Sequence, residues 1–473
     1  MIAVIARKEF TEFRRDGRLR LAASLMLVLL IAGSLLGWRN YLDLQTQAEE
    51  AAEHDYKRWQ QQDPKHPHDA AHNGVYVFKT PRPLAMVDGG IEPYVGASIM
   101  NGAHIQGEAE FPPAQDMTAL QRFGDLSPAL AGQVLLPLLV ILLSFAAFAG
   151  EREQGTLRQL LSIGVHPSLF LWGKATGIAA ALSSILLPVA IVGIGIAAYL
   201  AAPESRLDET LRAGLLVLVY GLYLLIMLFL SLGISACCRS ARTALVILLV
   251  FWGVTVFAIP RALLDVSGRF YPTPVNVEFW GKLSDDLWRE WGEGADAFKK
   301  KLLAEYQVEK VEDLPFDYTG QDMQNGDETA WRVYERYDRQ RYDIYDQQSR
   351  FLEWGSIIAP AAGVSLLSMA LTGNDLPQYR DFTRQVEEHR RTMNTLLNDY
   401  ISAHQQKTAN GWDNSAGVKG DSALWQSIPA FVYRPPSGWT ALRPYPVVIV
   451  ILTLWLISAF GFARFAVARL SGH

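Results

Sequence analysis

Long apolar runs alternate with long polar stretches along this chain of 473 residues. A helix needs about 20 mostly apolar residues to cross a bilayer. Six segments are long and apolar enough, so the pattern predicts an all-α polytopic membrane protein with six transmembrane helices. The predicted spans are residues 21–38, 131–149, 171–200, 211–236, 244–260 and 447–465.

Lysine and arginine residues flank these spans in a pattern that predicts the orientation of the chain. Such residues accumulate on the cytoplasmic side of short membrane-flanking segments. Here they precede span one, lie between spans two and three and between spans four and five, and follow span six. With six spans all four places fall on one side, so we expect both termini in the cytoplasm and the protein in a bacterial inner membrane. The first span is interpreted as an uncleaved anchor, and residues 466–473 as a cytoplasmic tail.

Two long polar insertions fall on the opposite, periplasmic side in this topology. They comprise residues 39–130 and 261–446. The first opens with a helical pattern and continues with Pro- and Gly-rich sequence, whereas the second is mainly helical. We therefore expect two large extracytoplasmic insertions that form a mainly α, partly β domain. The predicted elements are helices over 42–61, 285–308, 328–353 and 377–404 and a strand over 75–79.

The apolar segment 354–373 is a competing candidate for a seventh span. Gly355, Pro360 and Gly363, together with several serines, dilute its hydrophobicity. A seventh span would also place the basic C-terminal tail outside the cytoplasm. We predict that this segment is a helix of the outer domain, either buried or at the membrane surface.

The first 20 residues combine apolar and basic positions at helical spacing. Ile2, Ile5, Phe10 and Phe13 alternate with lysine and arginine residues. Such a helix lies in the bilayer interface with its basic side chains among the headgroups. Residues 1–20 are therefore predicted to form an interfacial helix, and a simple basic anchor for the first span is compatible with the same pattern.

The polar segment between spans two and three, residues 150–170, has the pattern of a short amphipathic helix. Leu157, Leu160 and Leu161 fall on one face, and charged residues occupy the others. Gly155 permits a turn or a close approach. A short charged element between two spans is suited to contact a cytoplasmic partner, but a solvated loop helix has the same pattern.

The sequence of residues 151–162 is Glu-Arg-Glu-Gln-Gly-Thr-Leu-Arg-Gln-Leu-Leu-Ser. In this place after the second span, it resembles the signature of type-2 ATP-binding-cassette (ABC) exporter permeases. The N-terminal residues Lys8, Phe10, Arg14 and Arg15 resemble the interfacial connecting helix of that family. The two insertions are larger than in ordinary members, and residues 365–375 resemble a branch with an enlarged extracytoplasmic domain.

The resemblance implies a permease subunit that exports a substrate with energy from ATP hydrolysed on a separate subunit. It implies two ABC ATPase subunits per complex and a second permease, either another copy or a sister chain. ATP and magnesium would lie on the ATPase, with no cofactor on this chain, and segment 150–170 would be the coupling helix that docks there. The implied coupling residues are Glu151, Arg152 and Glu153 as polar contacts, Gly155 and Thr156 at the turn, and Leu157 and Leu160 as packing residues.

Other function classes fit the sequence less well. No G-x-x-x-x-G-K-[ST] phosphate loop is present in the sequence, so we do not expect the chain to hydrolyse ATP. The spans contain almost no ionisable residues, unlike those of proton- or sodium-coupled carriers, and the net charge of −5 does not favour nucleic acid. An ATPase-driven periplasmic assembly or maturation factor without bulk transport, which would bind periplasmic proteins, is the alternative. A membrane enzyme with its site in 261–446 ranks last.

Three histidines in the first insertion are a weak candidate for a metal site. His66, His68 and His72 lie close together, and His68 and His72 are one helical turn apart. Pro64 and Pro67 interrupt the local helix, and no second ligand cluster is evident in the sequence. We therefore expect no metal at these histidines.

Overall fold

Helices form most of the chain in the computed structural model. The structure describes residues 1–104, 106–107, 109–110, 112–115, 126–162, 164–404, 407–408, 411–412 and 418–472. The helices are α1 (Ile2–Arg15), α2 (Gly17–Gln60), α3 (Pro67–Asn73), α4 (Glu92–Val95), α5 (Pro128–Leu130), α6 (Leu136–Ser144), α7 (Ala149–Glu153), α8 (Thr156–Ser162), α9 (Pro167–Leu200), α10 (Arg206–Cys237), α11 (Ala241–Gly253), α12 (Ile259–Phe270), α13 (Asn276–Glu305), α14 (Tyr318–Gly355), α15 (Pro360–Thr372), α16 (Leu376–His404), α17 (Ser422–Ser427), α18 (Gly438–Ala441) and α19 (Pro446–Ala468). The strands are β1 (Val75–Phe78), β2 (Ser98–Asn101), β3 (Ala109–Glu110), β4 (Lys407–Thr408) and β5 (Gly411–Trp412). Short 3-10 helices occupy Pro83–Met86, Pro113–Gln115, Val311–Asp313 and Arg469–Gly472, and π-helical turns occupy Ala131–Leu135 and Val254–Ala258.

Within the described part of the chain, six helices are long and apolar enough to cross a membrane. The second joins α5, α6 and α7, and the fifth joins α11 and α12. The prediction of an all-α polytopic membrane protein with six spans is therefore confirmed. The six helices are Gly17–Gln60, Pro128–Glu153, Pro167–Leu200, Arg206–Cys237, Ala241–Phe270 and Pro446–Ala468.

Several helix boundaries differ from the prediction, most clearly near the N-terminus. The first helix ends at Arg15 and not at residue 20, because the Asp16 side chain accepts hydrogen bonds from the backbone N–H groups of Arg18 and Leu19 at 2.8 and 3.2 Å and so caps α2. The predicted span 21–38 and the predicted helix 42–61 form one continuous helix, because residues 38–41 contain neither proline nor glycine.

Helix α10 lies at the centre of the bundle and packs against α6, α9, α11, α15 and α19. Its residues Ile226, Met227 and Leu232 are buried, as are Val140 of α6 and Leu452 of α19. Removal of such apolar side chains from solvent or lipid into a close-packed interior favours a single arrangement of the helices. Helix α10 therefore connects the two ends of the bundle.

The segment 354–373 contributes the short helix α15, which begins at Pro360 and ends before Gly373 in the left-handed conformation, with φ +88°. Its 13 residues rise about 20 Å, which is shorter than the bilayer core of about 30 Å. Val364 and Leu371 are buried where α15 packs against α10, α14 and α19. The prediction that the segment is not a seventh span is confirmed, and α15 packs into the core of the bundle.

The two insertions pack together at one end of the bundle, and we call the result the insertion body. Strands β1, β2 and β3 form an antiparallel sheet in that order. Val77 of β1 and Ile99 of β2 pack against Phe382 of α16. Trp59 of α2 donates its indole N–H to the backbone oxygen of Trp425 at 3.1 Å. The insertion body is mainly α with a small β part, in agreement with the prediction.

A group of charged side chains joins the insertion body to the bundle, and we call it the insertion anchor: Arg82, Asp208, Glu209 and Arg212. The Arg82 guanidinium lies 2.8 Å from Asp208 and 2.5 Å from Glu209. The fully buried Arg212 pairs with Asp208 at 2.8 Å and donates to the backbone oxygens of α15 residues 370 and 371 at 3.3 and 3.2 Å. The beginning of α10 is therefore fixed to both insertions.

Replacement of Gly37 by alanine should destabilise the protein. Gly37 lies where α2 crosses the turn Pro83–Met86, and a Cβ atom there would collide with the backbone carbonyl group of Met86. We expect the free energy of unfolding to fall by about 1–3 kcal/mol, which a lower midpoint in thermal unfolding of the detergent-solubilised chain would report. Gly193→Ala in α9 is the control, since no atom lies within 4 Å of its Cβ position. Equal midpoints for the two variants would contradict the close crossing.

Candidate functional site

Helices α7 and α8 meet at a tight turn on the end of the bundle opposite the insertion body. Gly155 lies between them with φ +74°, a conformation that favours glycine over other residues. Its N–H donates to the backbone oxygen of Arg152 at 3.1 Å, and the Thr156 hydroxyl donates to the backbone oxygen of Glu151 at 3.1 Å. Gly155 and Thr156 therefore form the turn between α7 and α8.

The α7–α8 turn has one apolar face and one polar face. Leu157 is buried in the core of the bundle, and Leu160 and Leu161 pack partly buried against the same core. The opposite side chains are exposed, and we call them the exposed face: Glu153, Gln154, Arg158 and Gln159. The turn thus presents polar groups to solvent while leucine packing holds it in place.

Directly behind the exposed face, four charged side chains form a charge cluster: Lys8, Glu9, Glu151 and Lys174. The ammonium group of Lys174 lies 2.7 Å from a Glu9 oxygen and 2.8 Å from a Glu151 oxygen. The same Glu151 oxygen accepts a hydrogen bond from Lys8 at 3.0 Å. Lys174 is 1 % exposed and Glu151 is 9 % exposed. The cluster therefore joins α1, α7 and α9 through buried, charge-balanced contacts.

Two glycines of α9 allow α1 to approach closely enough for these contacts. A Cβ atom at Gly173 would lie 2.5 Å from Cβ of Ile5, and one at Gly177 would lie 2.8 Å from the backbone oxygen of Ala6. Small residues four apart on one helix face let another helix pack against its backbone. The Gly173 and Gly177 positions therefore place α1 beside Lys174.

The surroundings of Lys8 favour its charged form, and an aromatic ring lies beside Lys174. Burial by itself would lower the pKa of Lys8, but the hydrogen bond and the charge of Glu151, with Glu9 and Glu12, outweigh burial and raise the pKa above its ordinary value. The Lys174 ammonium lies 4.8 Å from the centre of the Phe170 ring, which stabilises a cation by its π-electron face. The cluster thus holds two positive and two negative groups together.

Arg152 connects the same turn to the end of α10. Its guanidinium group donates to the backbone oxygen of Ala236 at 3.0 Å and to that of Cys238. The Ser235 hydroxyl accepts hydrogen bonds from the backbone N–H groups of Phe148 and Ala149 at 3.0 and 3.1 Å. The Arg152 contacts satisfy carbonyl groups that the last turn of α10 leaves free, and the Ser235 contacts satisfy N–H groups at the start of α7. Together they fix the start of α7 to α10.

The structure places the predicted contact residues on two different sides of the turn. Glu153 is exposed, whereas Glu151 and Arg152 make their polar contacts inside the chain. In α1, Lys8 joins the charge cluster, Phe10 is half-buried, and Arg14 and Arg15 are exposed in the last turn. These four residues are predicted as one interfacial group, and of them Lys8 forms an ion pair with Glu151 of α7.

Sequence reasoning missed Lys174 and Glu9 as members of this site. Lys174 contributes to the sequence prediction only as one of the basic residues between spans two and three, although it is the single charged residue between Pro167 and Glu204. A lone charge within an apolar run costs free energy unless a partner neutralises it. That cost is a signal by which Lys174 can be recognised as a functional or structural group.

The three histidines that are weak metal candidates do not all lie together in the structure. His66 caps α3, since its Nδ1 accepts a hydrogen bond from the backbone N–H of His68 at 3.3 Å. His68 and His72 lie instead beside His104, which was not among the candidates. Burial, together with the neighbouring His104 and His72, lowers the pKa of His68 to about 4.

Comparison with known families places the chain among transporter proteins. The model of the ABC-2 family transporter proteins matches residues 3–279, more than half of the chain, and a domain of unknown function, DUF3526, matches residues 278–434. The first match contains five of the six membrane helices, the α7–α8 turn and the charge cluster, whereas the second lies within the insertion body. No curated protein matches the chain. The chain therefore belongs to the ABC-2 family of transporter membrane proteins.

Proposed function

We propose that this chain is the permease subunit of an ABC exporter, driven by separate ATPase subunits that dock on the exposed face of the α7–α8 turn. One observation carries the proposal: a buried charge cluster joins the exposed polar turn to helices α1 and α9. Membership of the ABC-2 family supports the proposal, because the family implies an ATPase partner. ATP and magnesium are bound by that partner in this scheme.

The proposed orientation places the α7–α8 turn in the cytoplasm and the insertion body in the periplasm of a bacterial inner membrane. Lysine and arginine residues at the N-terminus, beside α7 and α8, after α10 and after α19 support it by the positive-inside rule. The complete transporter contains two ATPase subunits and two permeases, which are two copies of this chain or one copy and a sister chain.

The contact residues inferred from the family signature divide into two roles in this proposal. Glu153 is exposed and contacts the ATPase. Its exposed neighbours Arg158 and Gln159, which the signature did not assign, contact the ATPase beside it. Glu151 and Arg152 receive the movement of the turn and pass it to other helices through their contacts inside the chain. Leu157 and Leu160 keep the turn on the bundle during the movement.

Through the charge cluster, a displacement of the α7–α8 turn also displaces helices α1 and α9. A displacement of Glu151 away from Lys174 would break a buried ion pair, which costs free energy because the two desolvated charges then compensate each other less well. Lys174 and Glu9 therefore follow Glu151, and α9 and α1 move with α7. ATP-driven closure of the partner subunits is thus transmitted to a pair of packed helices.

Helix α10 extends this transmission to the opposite end of the molecule. Its last turn and the residue after it accept hydrogen bonds from Arg152, and its first turns carry Asp208 and Arg212 of the insertion anchor. Its 32 residues rise about 48 Å. The insertion body is therefore coupled to the turn by one helix, which supports a role of that body in receiving or releasing the substrate.

Charge reversal on the exposed face should detach the ATPase. The variant Glu153→Lys/Arg158→Glu changes two exposed side chains and leaves the buried cluster intact. Like charges placed against each other at an interface weaken binding, so we expect at least about a tenfold loss of ATPase that co-purifies with the chain in mild detergent. Mass spectrometry of the purified complex, with an internal standard for each subunit, measures the ratio.

The matched control is Glu293→Lys/Lys300→Glu, which reverses the same two charges on the exposed surface of α13 in the insertion body. This variant should retain the ATPase at the wild-type ratio. Absence of any ABC ATPase from the wild-type preparation, or equal loss in both variants, would refute docking at the turn.

Replacement of Lys174 by methionine should destabilise the protein without removing the docking face. Glu9 and Glu151 would then lie close together with only the half-exposed Lys8 to neutralise them. We expect the free energy of unfolding to fall by about 3 kcal/mol, seen as a lower thermal midpoint. The variant Glu9→Gln/Glu151→Gln/Lys174→Met leaves no buried charge unpaired and should recover most of the lost stability.

The same triple variant shows whether binding of the ATPase and transmission of its movement depend on different residues. It should still bind the ATPase, but hydrogen exchange in α1 should no longer respond to ATP as it does in the wild-type complex. An unchanged ATP response in the triple variant would show that the charge cluster plays no part in transmission.

A further inference from the structure

Three histidine side chains converge at the surface of the insertion body. The Nε2 atom of His68 lies 3.1 Å from Nε2 of His72 and 3.2 Å from Nε2 of His104. One nitrogen from each of the three rings lies within 4.8 Å of the others. His72 is exposed, and His68 and His104 are partly buried, so the cluster is accessible from solvent on one side.

Local structure brings the three residues together from two segments of the first insertion. His68 and His72 are four residues apart in α3 and project from one side of that helix. The backbone N–H of Ala103 donates to the backbone oxygen of Ala71 at 2.9 Å and holds the end of β2 against α3. His104 follows with φ +47°, an uncommon conformation for a residue with a side chain. This turn places its ring beside the other two.

A carboxylate from the second insertion orients the ring of His104. Nδ1 of His104 lies 3.2 Å from Oδ1 of Asp327, which is 3 % exposed. The other oxygen of Asp327 accepts a hydrogen bond from Asn398 at 3.0 Å and is thereby held in place. A carboxylate at Nδ1 favours the tautomer with the proton on that atom, so the lone pair of Nε2 points toward His68 and His72.

We propose that His68, His72 and His104 form a binding site for a divalent transition-metal ion of the zinc type, with water in the fourth position. Three histidine ligands with one open position are a common set for zinc. Bonds of about 2.0–2.1 Å in a tetrahedral site separate neighbouring ligand atoms by about 3.3 Å. Two of the three separations, 3.1 Å from His68 to His72 and 3.2 Å from His68 to His104, are close to that value, and the third lies within 4.8 Å.

The pairing of Asp327 with His104 completes the arrangement expected around a bound metal. Histidine ligands of metals regularly donate their second ring N–H to a carboxylate, which fixes the ring and strengthens it as a ligand. All three ligands come from the first insertion, whereas Asp327 and Asn398 belong to the second. Metal binding would therefore stabilise the contact between the two insertions, a property that does not depend on the proposed transport function.

Metal titration of the full chain tests the site directly. The protein is purified in mild detergent through a tag that contains no histidine, treated with a chelator, and titrated with Zn²⁺ by calorimetry. We expect one high-affinity ion per chain, with no comparable binding of Mg²⁺, which prefers oxygen ligands. X-ray absorption of the zinc-loaded chain should show three nitrogen ligands at about 2.0–2.1 Å.

Two variants and one control identify the ligands. The double variant His68→Gln/His72→Gln should lose the high-affinity site, with at least about a hundredfold weaker binding. Asp327→Asn should weaken binding about 10–100-fold while the three ligands remain. His54→Gln, at an exposed position of α2, should bind zinc as the wild type does.

Three results would overturn the proposal. One is a wild-type chain that binds no zinc, which would make the cluster a hydrogen-bonded group of histidines only. Another is equal zinc affinity in the double variant and the wild type. The third is an absorption spectrum with oxygen ligands in place of three nitrogens, which would assign the bound ion to acidic groups elsewhere on the surface.

Discussion

The contact of the Lys174 ammonium group with the carboxylates of Glu9 and Glu151 determines how one end of this molecule can move. The contact is almost completely buried, and it joins three segments that lie far apart in sequence. Each group compensates the desolvation of the others, so the separation of any one is costly. A force on the α7–α8 turn is therefore taken up by α1 and α9 together. The glycines at 173 and 177 are part of the same constraint, because without their small size α1 would lie too far away for Glu9 to reach Lys174.

A second buried set of charges, the insertion anchor, acts at the other end of the bundle. Arg212 is held by Asp208 and by backbone oxygens of α15, and Arg82 brings the first insertion to the same carboxylate. Helix α10 carries this anchor in its first turns and receives Arg152 at its end. The two sets of contacts make the insertion body part of the same mechanical unit as the α7–α8 turn. In the proposed function, energy supplied at the turn would reach the insertion body through these contacts.

The spans, the insertions and the turn could be predicted from the sequence because local pattern determines them. Apolar length identifies six membrane helices, and Pro360 with Gly373 limits α15 to a helix too short to span. The role of Glu151 could not be predicted from its motif, because its partners lie 23 residues later, at Lys174, and 143 residues earlier, at Lys8. His104 was missed for the same reason, since it lies 36 residues after His68. Contacts between distant segments depend on tertiary packing, which a single sequence pattern does not contain.

Site-specific photo-cross-linking from Gln159 in native membranes tests the central claim most directly. Gln159 lies on the exposed face, clear of the charge cluster, so a photoreactive residue at this position leaves the buried contacts unchanged. The account predicts a single major adduct with an ABC ATPase subunit, whose yield changes when ATP is trapped on the complex. A photoreactive residue at Lys300 in the insertion body should give no such adduct. An ATPase adduct from Lys300 and none from Gln159 would contradict the account, because the partner would then act at the opposite end of the molecule.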